Sequence, residues 1–558
     1  MPANDSSFAL GSPRFSDAKL ADLARNSGAL AAWSAAVARN VKDAALGVAG
    51  DFSVALREPS GRVFLAVDRF AIRPLCYRVD GMQLRVASRA DALADSSSEI
   101  DPQAIFDYLY FHAIPSPRTI YKGIYRLPAG HYAVFEKGQL AVARYWEPHF
   151  EEVRTSSFPE LQDEFHQLLR DAVATQLGGD GPPACFLSGG TDSSTVVGMA
   201  SLTSGQPVHS YSIGFHAQGY DEMEFARIAA KHFKSEHHVY YVTPDDLVRS
   251  VPAVAAHFDQ PFGNSSALPA YYCASKAREA GVHKLLAGDG GDELFGGNSR
   301  YAKQRVFGWY DHVPNVLKQA TLEPILKTSA AARFALTRKA ASYVEQARVT
   351  MPDRLQMYNL ILRLGPESVL TPSLLAQIDT GLPLQLQRAV WQASGPCGAL
   401  NQELAYDWRF TLAESDLPKV VGATGMAGVE VGFPLLDDRL VAFSQRLPAD
   451  YKLKGLQLRW FFKEALRGFL PDAILAKKKQ GFGLPFGVWV NTHAALNALA
   501  RDSLHSLAQR GVVRLDFVHT LLTQRLQEHP AYFGEMVWIL MMLEQWLAAK
   551  APLFKVAS

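Results

Sequence analysis

Cys185-Phe186-Leu187-Ser188-Gly189-Gly190-Thr191-Asp192-Ser193-Ser194 is the stretch whose reading decides the fold. An apolar run enters a Ser-Gly-Gly turn, and a helix-like segment, Ser193 to Leu202, leaves it. In a strand–turn–helix unit, glycines let backbone N–H groups point at an anion, and the helix start adds its partial positive charge. Asp192 places a carboxylate where a phosphate-bound Mg²⁺ needs an oxygen ligand. The loop reads as a cradle for nucleotide phosphates. An ordinary βα turn of small residues would look the same if it stood alone. No Gly-x-x-x-x-Gly-Lys-Ser/Thr run occurs, so the turn does not advertise transfer of a γ-phosphoryl group.

Outward from this loop, apolar runs at Ala184–Leu187, Val208–Phe215, His238–Val242 and Lys284–Ala287 alternate with helical segments near 193–202, 221–233, 245–257 and 268–280. That alternation predicts an α/β fold, a parallel sheet covered by helices with ligand loops at the C-terminal strand ends. From about residue 300 to 550 the periodicity is mostly helical. Before the loop the pattern differs. Phe52–Leu56, Val63–Val67, Gln83–Ala87, His131–Phe135 and Gln139–Ala143 read as strands of an antiparallel sheet, with helical stretches at about Asp17–Val41 and Pro102–His112. A polar stretch, Glu151–Phe158, separates this α+β region (residues 1–150) from the remainder (151–558).

The composition narrows the partners. At 558 residues with 48% hydrophobic, the chain can bury several cores, and its formal charge of +1 offers no global attraction to nucleic acid or membrane. Cys76, Cys185, Cys273 and Cys397 are widely spaced, which speaks against a disulfide framework or zinc site and fits a reducing cytoplasm. The first residues lack a basic segment before an apolar core, and no apolar run is long enough to span a bilayer. The expectation is a cytoplasmic protein with no nucleic-acid or membrane partner, its oligomeric state open.

A second loop, Gly288-Asp289-Gly290-Gly291-Asp292-Glu293-Leu294-Phe295-Gly296-Gly297, follows the strand Lys284–Ala287 and sets two acids three apart among glycines. A solvated acidic loop is the bland alternative; beside Ser188–Ser194 the pair is far more specific. Ser-Gly-Gly-x-Asp-Ser resembles the pyrophosphate loop of enzymes that split ATP between the α and β phosphates. Together the loops resemble the synthetase domain of the class B asparagine synthetases and their relatives, the β-lactam and lasso-peptide macrolactam synthetases. Val208–Phe215 with Tyr220-Asp221-Glu222, Glu236-His237-His238, Asp259-Gln260-Pro261-Phe262, Pro434-Leu435-Leu436-Asp437 and Lys479-Gln480-Gly481-Phe482-Gly483 continue the likeness. Gly50-Asp51-Phe52, Asp68–Leu75 and Leu127-Pro128-Ala129-Gly130-His131 resemble segments of the family's glutamine-hydrolysing domain.

The resemblance implies an Ntn-type glutaminase-like sandwich followed by a PP-loop synthetase domain of the adenine-nucleotide α-hydrolase kind with a helical C-terminal part. It implies ATP as substrate and Mg²⁺ as cofactor. Ser188, Gly189, Gly190, Asp192 and Ser193 would hold pyrophosphate and its metal, with Ser194, Ser212 and Gly288 completing the ATP site. Asp292 would be the second metal carboxylate, Asp289 would face the reacting substrate, and Lys479 would meet the α-phosphate. Chemistry asks for the same groups, because attack of a carboxylate on the α-phosphorus brings anions together. Lys477 and Lys478 read as solvated, and Asp289 and Glu414 as candidates for the general base.

Several residues depart from the family pattern. A working glutaminase of this type begins with a cysteine whose thiol is nucleophile. Here residue 2 is Pro2, no cysteine precedes Cys76, and no Asn-Gly-Glu segment is found. Gln260 stands where the family usually has Glu, Gly432 where asparagine synthetases carry Arg, and Val421-Gly422 where they carry Asp-Arg. The expectation is an AMP- and pyrophosphate-forming amide ligase whose amine does not come from glutamine. The specific case is a peptide macrolactam synthetase, acting on small-molecule or peptide carboxylates and amines, with a precursor peptide and its protease as partners. An asparagine synthetase using ammonia, and a non-catalytic binding scaffold, are the alternatives.

Overall fold

The computed structural model describes residues 6–178, 181–217, 219–220, 222–311, 343–477 and 483–557. In the amino-terminal region five antiparallel strands form one sheet: β1 (Phe8–Gly11), β4 (Phe52–Arg57), β5 (Val63–Val67), β9 (His131–Glu136) and β10 (Gln139–Arg144), in that order. A short ladder pairs β2 (Arg14–Phe15) with β3 (Val48–Ala49), and a second sheet holds β7 (Gln83–Ala87), β6 (Cys76–Asp80) and β8 (Ile124–Arg126). Side chains alternate across the large sheet with period two. Phe52, Val54, Phe64 and Ala66 turn to helices α1 (Ala18–Ser27) and α2 (Ala29–Arg39), packing on Trp33. Ala55, Leu65, Val67, Ala133 and Phe135 turn the other way, onto Leu75 and onto Tyr77, Leu84 and Val86 of the second sheet.

The single helix expected over Asp17–Val41 is two. Gly28 takes φ +87° and turns the chain between α1 and α2, while Asp17 caps α1 by accepting the Leu20 N–H at 3.0 Å. Helix α3 (Pro102–Phe111) is almost wholly buried, because it packs into the large core shared with the C-terminal helices.

The synthetase half is built on five parallel strands in the order β13 (Glu236–Val242), β12 (His209–Phe215), β11 (Ala184–Phe186), β14 (Lys284–Leu286), β15 (Glu430–Gly432). Both faces are covered. Cys185 and Leu286 pack under α4 (Phe158–Gln176) and α5 (Thr191–Thr203), whereas Ala184 and Leu285 pack under α8 (Ala267–Glu279). Two-sided burial is why β11, β14 and most of β12 read as apolar runs without alternation, whereas the edge strand β13 is largely half-exposed. Helices α6 (Met223–Phe233) and α7 (Pro244–His257) complete the crossovers.

The first strand in sequence, β11, lies inside the sheet, with β12 on one side and β14 on the other. The chain's direction of winding reverses between β11 and β14, so the loops at their C-terminal ends diverge and leave a crevice. Those loops are Leu187–Gly190 and Ala287–Gly290, the two singled out above. The long helix Pro530–Lys550 is buried within the protein, and no described helix is long and apolar enough to cross a membrane.

Candidate active site

The strand-to-helix turn after β11 is set by small residues. Gly189 has φ +72°, and a Cβ there would sit 2.7 Å from the Phe225 carbonyl carbon on α6. Gly190 is the N-cap of α5, which leaves the helix's first N–H groups facing the crevice. The Ser193 hydroxyl reaches back to the Ser188 amide at 3.1 Å and the Ser188 hydroxyl at 3.0 Å, closing the loop into a ring. Beneath it, the Ser212 hydroxyl donates to the Leu187 carbonyl, and His237 Nε2 lies 2.7 Å from the same hydroxyl. Burial, then Arg227, lowers the His237 ring to about 4, so it braces the loop as a neutral imidazole.

The second loop is pressed against the first. A Cβ on Gly288 would lie 2.7 Å from the Ser193 amide nitrogen, and one on Gly291 would lie 2.6 Å from the Asp192 Cγ. Glycine is required at both contacts, and their result is to set Asp192 and Asp292 face to face. Between them stands Arg459, itself only 6% exposed. Its guanidinium grips Asp192 with two bonds of 2.7 and 2.6 Å, bonds Asp292 and bonds the Thr191 hydroxyl. Arg459 holds φ +56° at the start of the helix Trp460–Ala465, a costly backbone state for a residue other than glycine.

A guanidinium shared by two partly buried carboxylates is a stand-in for a cation. The donor set of two aspartates opposite a phosphate-facing helix start fits Mg²⁺, which takes one or two carboxylates plus phosphate oxygens. Burial raises the Asp192 carboxyl, with Arg459 opposing it.

Around these groups opens a cavity of about 1080 Å³. Ser188, Gly190, Asp192, Ser193, Ser212, Gly288, Asp289 and Asp292 line it. That is at the upper end of the range for small-molecule sites, room for a nucleotide and a second substrate. Ser194 is fully buried in α5 and does not line the cavity, while Gly189 shapes the turn from behind. Lys478 and Lys479 lie outside the described residues. Lys477, read as solvated, instead lines the cavity, its Nζ 3.0 Å from Glu222 Oε2 and 3.5 Å from the Gly189 carbonyl.

On the far wall, Asp289 Oδ1 is 3.5 Å from Lys419 Nζ, which is 3.1 Å from Asp416 Oδ1. Burial raises the Asp289 carboxyl; for Lys419, burial is outweighed by Asp416 and Asp289, and its ammonium is held above the ordinary range. Asp416 ends a π-helical stretch, Trp408–Asp416, a geometry that recurs at functional sites. Glu414, a candidate base from sequence, belongs elsewhere. Both its oxygens are occupied by Arg126, Arg409 and the Ser116 hydroxyl, and it fastens the amino-terminal domain to the synthetase half. Sequence reading also missed Arg459, Asp416 and Lys419; only the three-residue spacing of the last two on a helix carried a signal.

A family model described as Asparagine synthase matches residues 164–548, and one described as Glutamine amidotransferase domain matches residues 35–146. The chain belongs to the asparagine synthase family. It is 25% identical over 485 residues to asparagine synthetase [glutamine-hydrolyzing] 1 of Bacillus subtilis, covering 86% of this chain and 74% of that one. It is 26% identical over 462 residues to a putative asparagine synthetase [glutamine-hydrolyzing] of Mycobacterium bovis, covering 79% and 68%. A putative asparagine synthetase of Methanocaldococcus jannaschii is 35% identical over 246 residues, 42% of this chain and 47% of that one. The protein is thus an asparagine synthetase-like, ATP-dependent ligase that forms carbon–nitrogen bonds, in a family that typically uses Mg²⁺.

Proposed function

We propose that this ligase adenylates a carboxylate at the β11–β14 crevice and joins it to an amine that glutamine does not supply. In the first half-reaction a carboxylate oxygen bonds to the α-phosphorus as the bridge to the β-phosphate breaks and pyrophosphate leaves. Ser188, Gly190 and Ser193 would cradle the departing pyrophosphate, the serines through their hydroxyls and the uncapped first turn of α5 through its amides. Asp192 and Asp292 would hold Mg²⁺, which supplies charge neutralisation at the phosphates. Lys477, paired with Glu222 and 3.5 Å from the Gly189 carbonyl, is a cation at the loop's edge, and Lys479 would meet the α-phosphate. In the second half-reaction the amine nitrogen bonds to the acyl carbon and AMP departs. Asp289, partly buried beside Lys419 in the cavity wall, would take the proton from that amine.

The observation that carries the amine's origin is Cys76, the single cysteine in residues 1–150. Its side chain is fully buried between the second sheet and α3, and burial pushes its thiol far above the usual range. A buried, protonated thiol is no nucleophile for a glutamine amide. The favoured specific case is ring closure, a peptide macrolactam made when amine and activated carboxylate belong to one molecule, with a precursor peptide and its protease as partners. The names of the relatives favour a second reading, asparagine formed from aspartate, here with free ammonia.

The test is pyrophosphate release from Mg·ATP across a panel of carboxylates, run with glutamine, ammonium or a peptide amine. Release that rises with a peptide or ammonium, and no glutamate formed from glutamine, is the expected result. Glutamate produced in step with pyrophosphate overturns the reading.

A further inference from the structure

At the opposite end of the sheet from the phosphate loops, the first residues of β12 and β13 bring two imidazoles and a carboxylate together. The strands are parallel and in register, His209 beside Glu236 and Tyr211 beside His238, so all four side chains rise from one face. His209 Nδ1 is 3.0 Å from His238 Nε2. Glu236 Oε1 is 3.3 Å from His238 Nε2, and Glu236 Oε2 is 3.7 Å from His209 Nε2. One potential ligand atom from each of the three lies within 4.8 Å of the others.

We propose that His209, Glu236 and His238 form a binding site for a divalent transition-metal ion of the zinc type. Ligand atoms about 2.0–2.1 Å from a tetrahedral ion stand about 3.3 Å apart; Glu236 Oε1 and His238 Nε2 stand at that distance, and one ligand atom from each of the three side chains fits within 4.8 Å, so small rotations would close the set on an ion. Two imidazoles and one carboxylate select zinc and its neighbours over Mg²⁺ and Ca²⁺, which take oxygen ligands. An N···N approach of 3.0 Å requires one nitrogen to present a lone pair, so one imidazole already exposes the electron pair a metal uses. The side chains are 20%, 58% and 34% exposed for His209, Glu236 and His238, which leaves an entry path and a fourth position for water.

The arrangement is also braced. His238 stacks on Tyr211 with centroids 4.7 Å apart and planes at 13°, which limits its rotation. Its neighbour His237 points through the sheet to Ser212 and is unavailable to the cluster. Strand β13 is the sheet's edge, so an ion held here would tie that edge to β12.

The experiment uses the full chain without a histidine tag, stripped with chelator and titrated calorimetrically with ZnCl₂ in excess Mg²⁺ and without ATP. The expected result is one zinc per chain with micromolar affinity. His209→Ala and His238→Ala should each weaken it at least about tenfold. Glu236→Gln, at the most exposed of the three, should weaken it without disturbing the fold, and His216→Ala should leave it unchanged. Bound Co²⁺ should show the visible absorption of a low-coordinate ion. Absence of binding at millimolar zinc overturns the proposal, as does a one-to-one event that survives His209→Ala, His238→Ala and Glu236→Gln.

Discussion

In the amino-terminal domain the buried carboxylate of Asp68 is enclosed by the amides of Phe52, Phe70, Ile72 and Arg73, at 3.0 to 3.2 Å. In the synthetase half, Asp192 and Asp292 share the guanidinium of Arg459 in the wall of an open cavity. Both solutions satisfy buried charge. The partners differ in what they can do afterwards. Backbone amides of strand β4 and of the turn after Asp68 cannot leave without unfolding both, so Asp68 serves structure. A long side chain can rotate away, so Asp192 and Asp292 are exchangeable and can meet a ligand. The same contrast sorts Glu414, enclosed at the domain junction, from Asp289, which faces the cavity.

Substitutions break or sharpen this contrast in a definite order. Asp192→Ala should have the largest effect, lowering carboxylate-dependent pyrophosphate exchange by about 10³-fold; exchange within tenfold of wild type would remove the loop from the chemistry. Gly288→Ala comes next. Its Cβ has no room against Ser193, so the two loops must separate, and exchange should fall by about 10²-fold with the fold retained by circular dichroism. Glu414→Gln should act on stability instead. It leaves Arg126 and Arg409 without their shared carboxylate, costing about 3 kcal/mol in urea unfolding while the KM for ATP stays unchanged. A raised KM would return Glu414 to the site. Cys76→Ala should do least, costing about 1 kcal/mol for a small cavity and leaving exchange untouched. Loss of any glutamine-dependent reaction in that variant would give the amino-terminal domain a chemistry of its own.

Much of this was legible in the sequence because it is local. The β11–α5 turn and the loop after β14 announce themselves through glycine, serine and aspartate spacing, and the alternation of apolar runs with helices follows from two-sided burial of a parallel sheet. What was not legible depends on distant chain. Strand β15 is three residues in a glycine-rich stretch and becomes a strand by pairing with β14, more than 140 residues earlier. Arg459 sits in an unremarkable run before aromatic residues; it gains its role by lying across two loops that precede it by 167 and 267 positions. The break at Gly28 interrupts an alanine-rich helical pattern whose periodicity continues on both sides. Asp416 and Lys419 resembled any charged helix face until the π-helical stretch turned them toward Asp289.

The cavity's walls also impose an order on synthesis. Residues 186–193 and 211–213 are made early, the second loop follows, and Asp416 to Lys477 close the chamber from the far end of the chain. A ribosome that has built the whole five-stranded sheet, through Gly432, still carries a protein whose paired aspartates lack their guanidinium. The chain therefore supplies every strand of the sheet before it supplies the cation that balances Asp192 and Asp292, and the wall of the nucleotide pocket is completed late in synthesis.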